Sequence, residues 1–267
     1  MFVVISSVLA YWVLVGSQFN TTIFILLGLG GFCCTAAANT LNQVLEKDFD
    51  KLMTRTSERP LAAERMKISE AVFLSGLLLL TGTVMLSLIN PLTSLLCMIS
   101  VVLYSFLYTP LKRYTTLAVA IGAIPGALPV LIGSVAGAGE ITMIGIVLFG
   151  IQFLWQFPHF WSIGWLSFED YNKAGYKLLP INNENKIDEK IGFHSFIYAL
   201  ILIPVSIAPI WLGDYNILVF VLVALTGIVY AFQSYKFYVR QNRPTALGVM
   251  FTSFFYLPIV LILYLFI

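Results

Sequence analysis

Three polar residues in one short segment are spaced for chemistry on a phosphorylated substrate. Asn42, Glu46 and Asp50 lie at i, i+4 and i+8 within residues 39–50. On a helix each such step drifts by about 40° and rises by about 6 Å, so the three form one stripe, and Asp48 falls on another face. Carboxylates at this spacing can hold Mg²⁺ loosely and leave positions for water and phosphate oxygens. Arg55 and Arg59 continue a four-residue rhythm that begins at Lys51, and a guanidinium can fork onto further phosphate oxygens. Metal and bases together would neutralise a diphosphate and make it a good leaving group. Glu46 and Asp50 are therefore expected as metal carboxylates, with Asp170, in Glu169-Asp170-Tyr171, as a further one. For the charges alone, a solvated and salt-bridged helix end would do. Asn39, Asn42 and Gln43 argue against that, because they continue an apolar run in which polar groups are costly.

A second cluster lies further on. Gln152, Gln156 and His159 fall at i, i+4 and i+7 among Trp155, Phe157, Phe160 and Trp161. This spacing predicts one polar stripe turned toward the bundle interior or a cavity, with Pro158 loosening the helix. An ionisable residue inside an apolar run is by default functional, so His159 joins the candidates. His194, at the start of a later run, reads as an exposed interfacial residue. Tyr104, Tyr108, Lys112 and Arg113 sit at i, i+4, i+8 and i+9, although Pro110 is expected to break any continuous helix there. Lys112 and Arg113 are placed either to meet an anionic substrate group or to anchor the chain at an interface. Lys173 and Lys177 carry the same two readings. The Gly- and Pro-rich stretch from Gly122 to Gly139 could line a tunnel or simply allow tight helix packing.

The elements that must position these residues follow from composition. Of 267 residues, 59% are hydrophobic and 10% charged, against about 45–50% and 25% in soluble domains. Mean hydropathy is +0.91. These values exclude a soluble globular enzyme, a disordered chain, a collagen and a disulfide scaffold. Cys33, Cys34 and Cys97 all lie in apolar runs and show no metal spacing, so they read as small core residues. Nine apolar runs stand out, at about 1–16, 22–41, 71–89, 92–109, 117–136, 141–166, 193–212, 215–235 and 246–267. The first has no basic leader and no small-residue cleavage site, so it reads as a span. All fifteen Lys and Arg fall in the connections after runs 2, 4, 6 and 8. That alternation predicts an N-terminus on the cytoplasmic side. Eleven of the thirteen acids lie on the same side, with only Glu140 and Asp214 opposite. The expected fold is an all-α membrane protein of nine transmembrane helices. A polar cluster after run 2 is echoed after run 6, and an aromatic-basic one after run 4 is echoed after run 8. This suggests two parallel four-helix repeats plus a ninth helix. A single domain over 1–267 is expected, with working loops at about 42–70 and 167–192.

Asn42-x3-Glu46-x3-Asp50 resembles the Asn-x3-Asp-x3-Asp motif of the UbiA superfamily of intramembrane prenyltransferases. The longer string NQVLEKDFDKLMTRTSERPL (42–61), with its RTxxRP element from Arg55 to Pro60, resembles the branch of that superfamily that acts on haem. YTPLKRYTTLAVAIGAIPGALP (108–129) and WQFPHFWSIGWLSFEDYNKAGYKLLP (155–180) agree, so the resemblance covers essentially the whole chain. It departs in three places. Glu46 stands where the superfamily usually has Asp, the second Asp-x3-Asp is reduced to Asp170-x3-Ala174, and a Lys-Pro-Arg-type element usually found before the first span is not in this sequence.

The resemblance implies transfer of a farnesyl group from farnesyl diphosphate to the vinyl group of haem b. Water addition follows, giving haem O and diphosphate. It implies Mg²⁺ as cofactor, and Asn42, Glu46, Asp50 and His159 as catalytic residues. Arg55, Arg59, Tyr108, Lys112, Arg113, Gln156 and Asp170 are implied as substrate-binding. His159 could ligate haem iron, meet a propionate or move a proton. Membrane lipid, and haem A synthase or terminal-oxidase assembly factors, are the implied partners, in a bacterial plasma membrane with the site facing the cytoplasm. No nucleic-acid partner is expected. A quinone-pathway aromatic prenyltransferase would have a fuller second Asp-x3-Asp and no need of His159. A transporter would place ionisable groups near the bilayer midplane with access from both sides, and only His159 lies deep in a run.

Overall fold

The computed structural model describes residues 2–182, 184, 186–213 and 216–267. Asp214, one of the two acids assigned to the outer side, lies outside these residues. The chain is helical: α1 (Phe2–Val15), α2 (Thr21–Asp50), α3 (Ile68–Ser87), α4 (Pro91–Leu111), α5 (Ala118–Ala138), α6 (Met143–Leu166), the short α7 (Phe168–Lys173), α8 (Lys190–Ile207), α9 (Ile217–Arg240) and α10 (Arg243–Leu263). Among the described residues the one β-type pairing is an isolated bridge between Ile181 and Ile187. Eight helices are long and apolar enough to cross a membrane, and Phe2–Gln18 is a shorter apolar helix. The ninth expected span therefore falls below the length of the others.

Side-chain caps start several of these helices. The Asn20 side chain accepts from the N–H groups of Thr22 and Ile23 at 2.9 and 3.2 Å, and Asn90 accepts from Thr93 at 2.8 Å just before Pro91. Both satisfy donors that a helix start leaves open. The helices outrun the apolar runs at their charged ends. α2 has 30 residues, about 45 Å of helix against about 30 Å of bilayer hydrocarbon. Residues 42–50 thus belong to a continuous helix that projects beyond its apolar section, and the connection to α3 is only 51–67.

The expected break at Pro110 does not occur. α4 widens to a π-type turn over Leu103–Tyr108 and then runs on through Pro110 to Leu111. The wide turn lets the Thr109 N–H reach the Tyr104 carbonyl, and the Thr109 hydroxyl donates to the same carbonyl at 2.9 Å. Such turns accommodate a residue that the regular ladder cannot hold. The Gly/Pro-rich stretch forms one unbroken helix, α5, which is the most buried of the spans. Its glycines serve close packing. A Cβ on Gly133 would lie 1.9 Å from the Ser7 carbonyl oxygen of α1, and one on Gly126 would lie 2.0 Å from Gln156 Oε1 of α6.

α5 thus sits at the centre, packed on α1, α4 and α6, while α6 also packs on α8 and α10. Two apolar cores result. One is built mainly from α1 to α5 around Tyr11, Leu27, Leu86 and Val135, the other mainly from α6 to α10 around Ile151, Leu202, Tyr230 and Val260.

Candidate active site

The stripe predicted on α2 is real in burial. Asn42, Glu46 and Asp50 are buried and Asp48 is exposed. Glu46 is 3% and Asp50 1% exposed, and a carboxylate that far from water needs a partner. Each has its own. Lys112, just beyond α4, places Nζ 2.5 Å from Glu46 Oε1. Asn42 Nδ2 donates to Glu46 Oε2 at 2.9 Å and to Thr109 Oγ1 at 3.0 Å. The π-type turn therefore does a job here: it presents Thr109 so that α4 and α2 are tied at Asn42. One guanidinium nitrogen of Arg59 donates to both oxygens of Asp50, at 3.0 and 2.9 Å. The Thr56 hydroxyl donates to the Asp50 carbonyl at 3.0 Å and folds the connection back over the helix end.

Electrostatically the cluster balances two buried carboxylates with two cations. Burial pushes the Lys112 ammonium below the ordinary lysine range, and the adjacent Glu46 carboxylate works against that shift. Lys112 also lies over the rings of Tyr108 and Tyr176, 5.0 and 5.3 Å from their centroids, a desolvated cation–π setting. Burial raises the Tyr176 phenol, with the Glu46 charge adding to it. Arg113 differs from both neighbours. Its guanidinium lies 4.4 Å over the Phe49 ring, its Nε is buried without a hydrogen-bond partner, and no carboxylate pairs with it among the described residues.

The two long connections, similar in polar composition but far apart in sequence, meet over this cluster. Thr54 Oγ1 donates to Asp170 Oδ1 at 3.2 Å, and Arg55 Nη2 lies 3.5 Å from the Tyr171 hydroxyl. Met53, Ala174 and Tyr176 form a small apolar core beneath them, with Phe49 and Tyr171 against it. The Lys177 N–H donates to the Lys112 carbonyl at 2.7 Å. Asp170 also has Lys173 Nζ at 3.6 Å. Asn42, Glu46, Asp50, Arg59, Tyr108, Lys112 and Arg113, with Arg55 and Asp170 on the segments joined through Arg55–Tyr171 and Thr54–Asp170, thus share one end of the bundle.

Gln152, Gln156 and His159 are all buried in the bundle interior, as their spacing suggested, but they meet two different helices. Gln152 Nε2 donates to the Gly126 carbonyl at 2.7 Å, and Gln156 Nε2 to those of Ala123 and Gln152 at 3.0 Å each. Both amides therefore join α6 to α5, where the proline-containing helix offers carbonyls. His159 turns instead to α10, where its Nδ1 lies 2.7 Å from Ser253 Oγ. Helical spacing set the three within one arc, and the two helices that flank that arc divided it. His194 is exposed, as expected.

Among the described residues no three His, Cys, Asp or Glu side chains converge to hold a metal ion by themselves. The donors offered are nonetheless the right kind. Carboxylate oxygens suit a hard cation, and Mg²⁺ usually keeps several waters and takes one or two carboxylates together with substrate phosphates. Glu46 and Asp50, one turn apart on α2, fit an ion of that sort. Thr109, Thr54, Tyr171, Tyr176 and Ser253 escaped the sequence reading. Hydroxyl residues at span ends are common, and nothing in their spacing relates them to residues more than 50 positions away.

Comparison with known proteins bears on the family and the fold. A family model described as the UbiA prenyltransferase family matches residues 3–257. A protein of Cytophaga hutchinsonii named protoheme IX farnesyltransferase is 41% identical over 259 residues, covering 97% of this chain and 90% of that protein. A solved structure reported for digeranylgeranylglyceryl phosphate synthase superposes with a TM-score of 0.81 at 20% identity, covering 98% of this chain and 91% of that one. A UbiA homologue of Archaeoglobus fulgidus, solved bound to GPP and Mg²⁺, superposes with a TM-score of 0.72 at 14% identity, covering 98% and 95%. These two structural likenesses speak to the fold.

Proposed function

The chain belongs to the UbiA prenyltransferase family, and from that membership we propose that it transfers a farnesyl group from farnesyl diphosphate to a vinyl group of haem b. Water then adds to the resulting cation and gives up a proton to solvent, leaving haem O; diphosphate is the group released from the farnesyl donor. The acceptor and the transferred farnesyl group are those in the name of the Cytophaga hutchinsonii relative, which is 41% identical along nearly the whole chain. The single observation in this molecule that carries the reading is the buried pairing of Glu46 with Lys112 and of Asp50 with Arg59 at one end of the bundle.

Glu46 and Asp50 would hold Mg²⁺, which when bound supplies charge neutralisation to the diphosphate; Asp170, on α7, does not converge with them as the sequence suggested and is kept as a substrate-side residue tied to Thr54. Arg59 and Lys112 stand ready as donors to phosphate oxygens once a diphosphate competes for them. Arg113 has no carboxylate partner among the described residues to give up, and it is the first buried candidate to meet the incoming anion. Arg55, at the exposed rim, is placed to close on the same group. Together these cations stabilise the charge that develops on the leaving oxygen as the allylic C–O bond breaks. The farnesyl carbon then accepts the vinyl π electrons. Apolar walls delay water until the carbon–carbon bond has formed.

The reading includes nine spans, with Phe2–Gln18 as the short first one, in two four-helix repeats plus a ninth helix. They form one domain over 1–267. The N-terminus and the paired loops face the cytoplasm of a bacterial plasma membrane. Membrane lipid surrounds it, and haem A synthase or oxidase assembly factors would receive the product.

The test is direct. Detergent-purified protein is incubated with haem b, farnesyl diphosphate and Mg²⁺, and the haem is resolved by chromatography and mass spectrometry. A mass gain of one farnesyl group plus one hydroxyl group, abolished by chelating the divalent cation, is the expected outcome. Unmodified haem from a folded protein that still binds farnesyl diphosphate would overturn the choice of acceptor.

A further inference from the structure

His159 is placed more narrowly than its sequence position requires, and Ser253 of α10 is the reason. Ser253 Oγ donates to the Met250 carbonyl at 2.5 Å and lies 2.7 Å from His159 Nδ1. A hydroxyl carries one proton. With that proton directed at a carbonyl, Oγ can meet the imidazole only as an acceptor, so Nδ1 bears the ring proton. Nε2 of the neutral ring is then left with its lone pair.

The ring is also fixed in orientation. Trp155 stacks on it, 4.8 Å between centroids and 15° between planes, and Phe254 and Phe160 present edges at 5.1 and 5.2 Å. Trp155 is held in turn, because its Nε1 donates to the Ser253 carbonyl at 2.8 Å and its own carbonyl accepts from the Tyr230 hydroxyl at 3.2 Å. Ser253 therefore holds the histidine with its side chain and the stacking tryptophan with its backbone. His159 is 7% exposed. Nε2 has no hydrogen-bond partner among the described residues, yet it is not one of the sealed polar atoms left unpaired.

We propose that His159 supplies, through Nε2, an axial ligand to the iron of the haem acceptor, and that Ser253 is the positioning residue that sets its tautomer. The inference deepens the proposed function and rests on it for the presence of haem. A neutral imidazole whose other nitrogen donates to a fixed acceptor is the arrangement that orients and strengthens a histidine ligand. The aromatic rings around His159 hold its imidazole in that one orientation. The propionate alternative fits less well. A carboxylate approaching Nε2 would bring oxygen lone pairs against a nitrogen lone pair, with no proton between them.

The test uses the full chain in detergent with ferrous haem b and no farnesyl diphosphate, read by optical and resonance Raman spectroscopy. The wild type should show an iron–histidine stretching band. His159→Ala should lose the band and weaken haem binding by about tenfold or more, and added imidazole should restore ligation. His194→Ala should keep the band. Ser253→Ala should retain bound haem with a shifted or weakened band, and Ser253→Thr should recover it, which a purely structural role for Ser253 would not produce. A folded His159→Ala protein with unchanged haem spectrum and affinity would overturn the proposal. So would a band that disappears with His194 instead. If the wild type converts haem to the farnesylated product yet shows no histidine ligation, the ligand assignment falls while the proposed function stands. If it binds no haem and farnesylates another acceptor, both fall.

Discussion

Glu46 and Lys112 illustrate how a buried charge must be judged by what remains when its partner is removed. Both are buried, and Nζ lies 2.5 Å from Oε1. Loss of one partner leaves an uncompensated charge, at about 3–5 kcal/mol, whereas loss of both can approach neutrality. Glu46→Gln and Lys112→Met are therefore each expected to lower stability by about that amount, and the double variant by clearly less than their sum. Reversible unfolding in detergent measures this, and strict additivity would count against a direct pair. Asp50 stands differently, because its partner Arg59 keeps 30% side-chain exposure and can turn to water when the carboxylate is gone. Asp50→Ala should therefore still fold and migrate as the wild type does on size exclusion. Its farnesyl transfer should fall by about 10²–10³-fold, the scale seen when a group that stabilises developing charge is deleted. Normal turnover in the folded variant would remove Asp50 from the site.

At the scale of elements, α5 is the helix on which the others depend. Its glycines let α1 and α6 approach closely, and the two contacts differ in what opposes a new methyl group. At Gly133 the obstacle is the Ser7 carbonyl, part of the α1 backbone, 1.9 Å from the added carbon. At Gly126 it is the Gln156 side-chain oxygen at 2.0 Å, the end of a chain that can rotate, although Gln156 would lose bonds to the Ala123 and Gln152 carbonyls in doing so. Overpacking typically costs about 1–3 kcal/mol. Gly126→Ala is expected within that range, and Gly133→Ala at its top or beyond, with the order read from thermal unfolding of the two variants. α4 makes a complementary point. Its wide turn satisfies the Tyr104 carbonyl from Thr109 and carries Lys112 onto Glu46, so the irregular element is the one that completes the site.

Across the whole molecule, charge is segregated to one end of the bundle, and the two long connections close over that end through Thr54–Asp170 and Arg55–Tyr171. The segregation sets an orientation that labelling can measure. Cysteine introduced at exposed Glu140 should react with an impermeant maleimide added outside intact cells, and cysteine at exposed Glu169 only after the inner face is opened. Of the native cysteines, Cys34 and Cys97 are buried and Cys33 is half-buried within a span, so background labelling should be low. The reverse pattern would invert the topology and place the paired loops on the outside.

The sequence by itself determined that this chain is a helical membrane protein, which end of it is charged, and which face of α2 carries Asn42, Glu46 and Asp50. Hydropathy and helical period are local properties, written in residues a few positions apart. It also determined the family, because the motif blocks are continuous strings. Which cation meets which carboxylate was decided by tertiary structure. Lys112 reaches Glu46 only because α4 continues through Pro110, and Asp170 meets Thr54 only because two loops more than a hundred residues apart fold onto each other. The division of Gln156 from His159 and the pairing of His159 with Ser253 belong to the same class. Spacing fixes the direction of a side chain from its own helix, but the partner it finds there depends on which helix packs across from it.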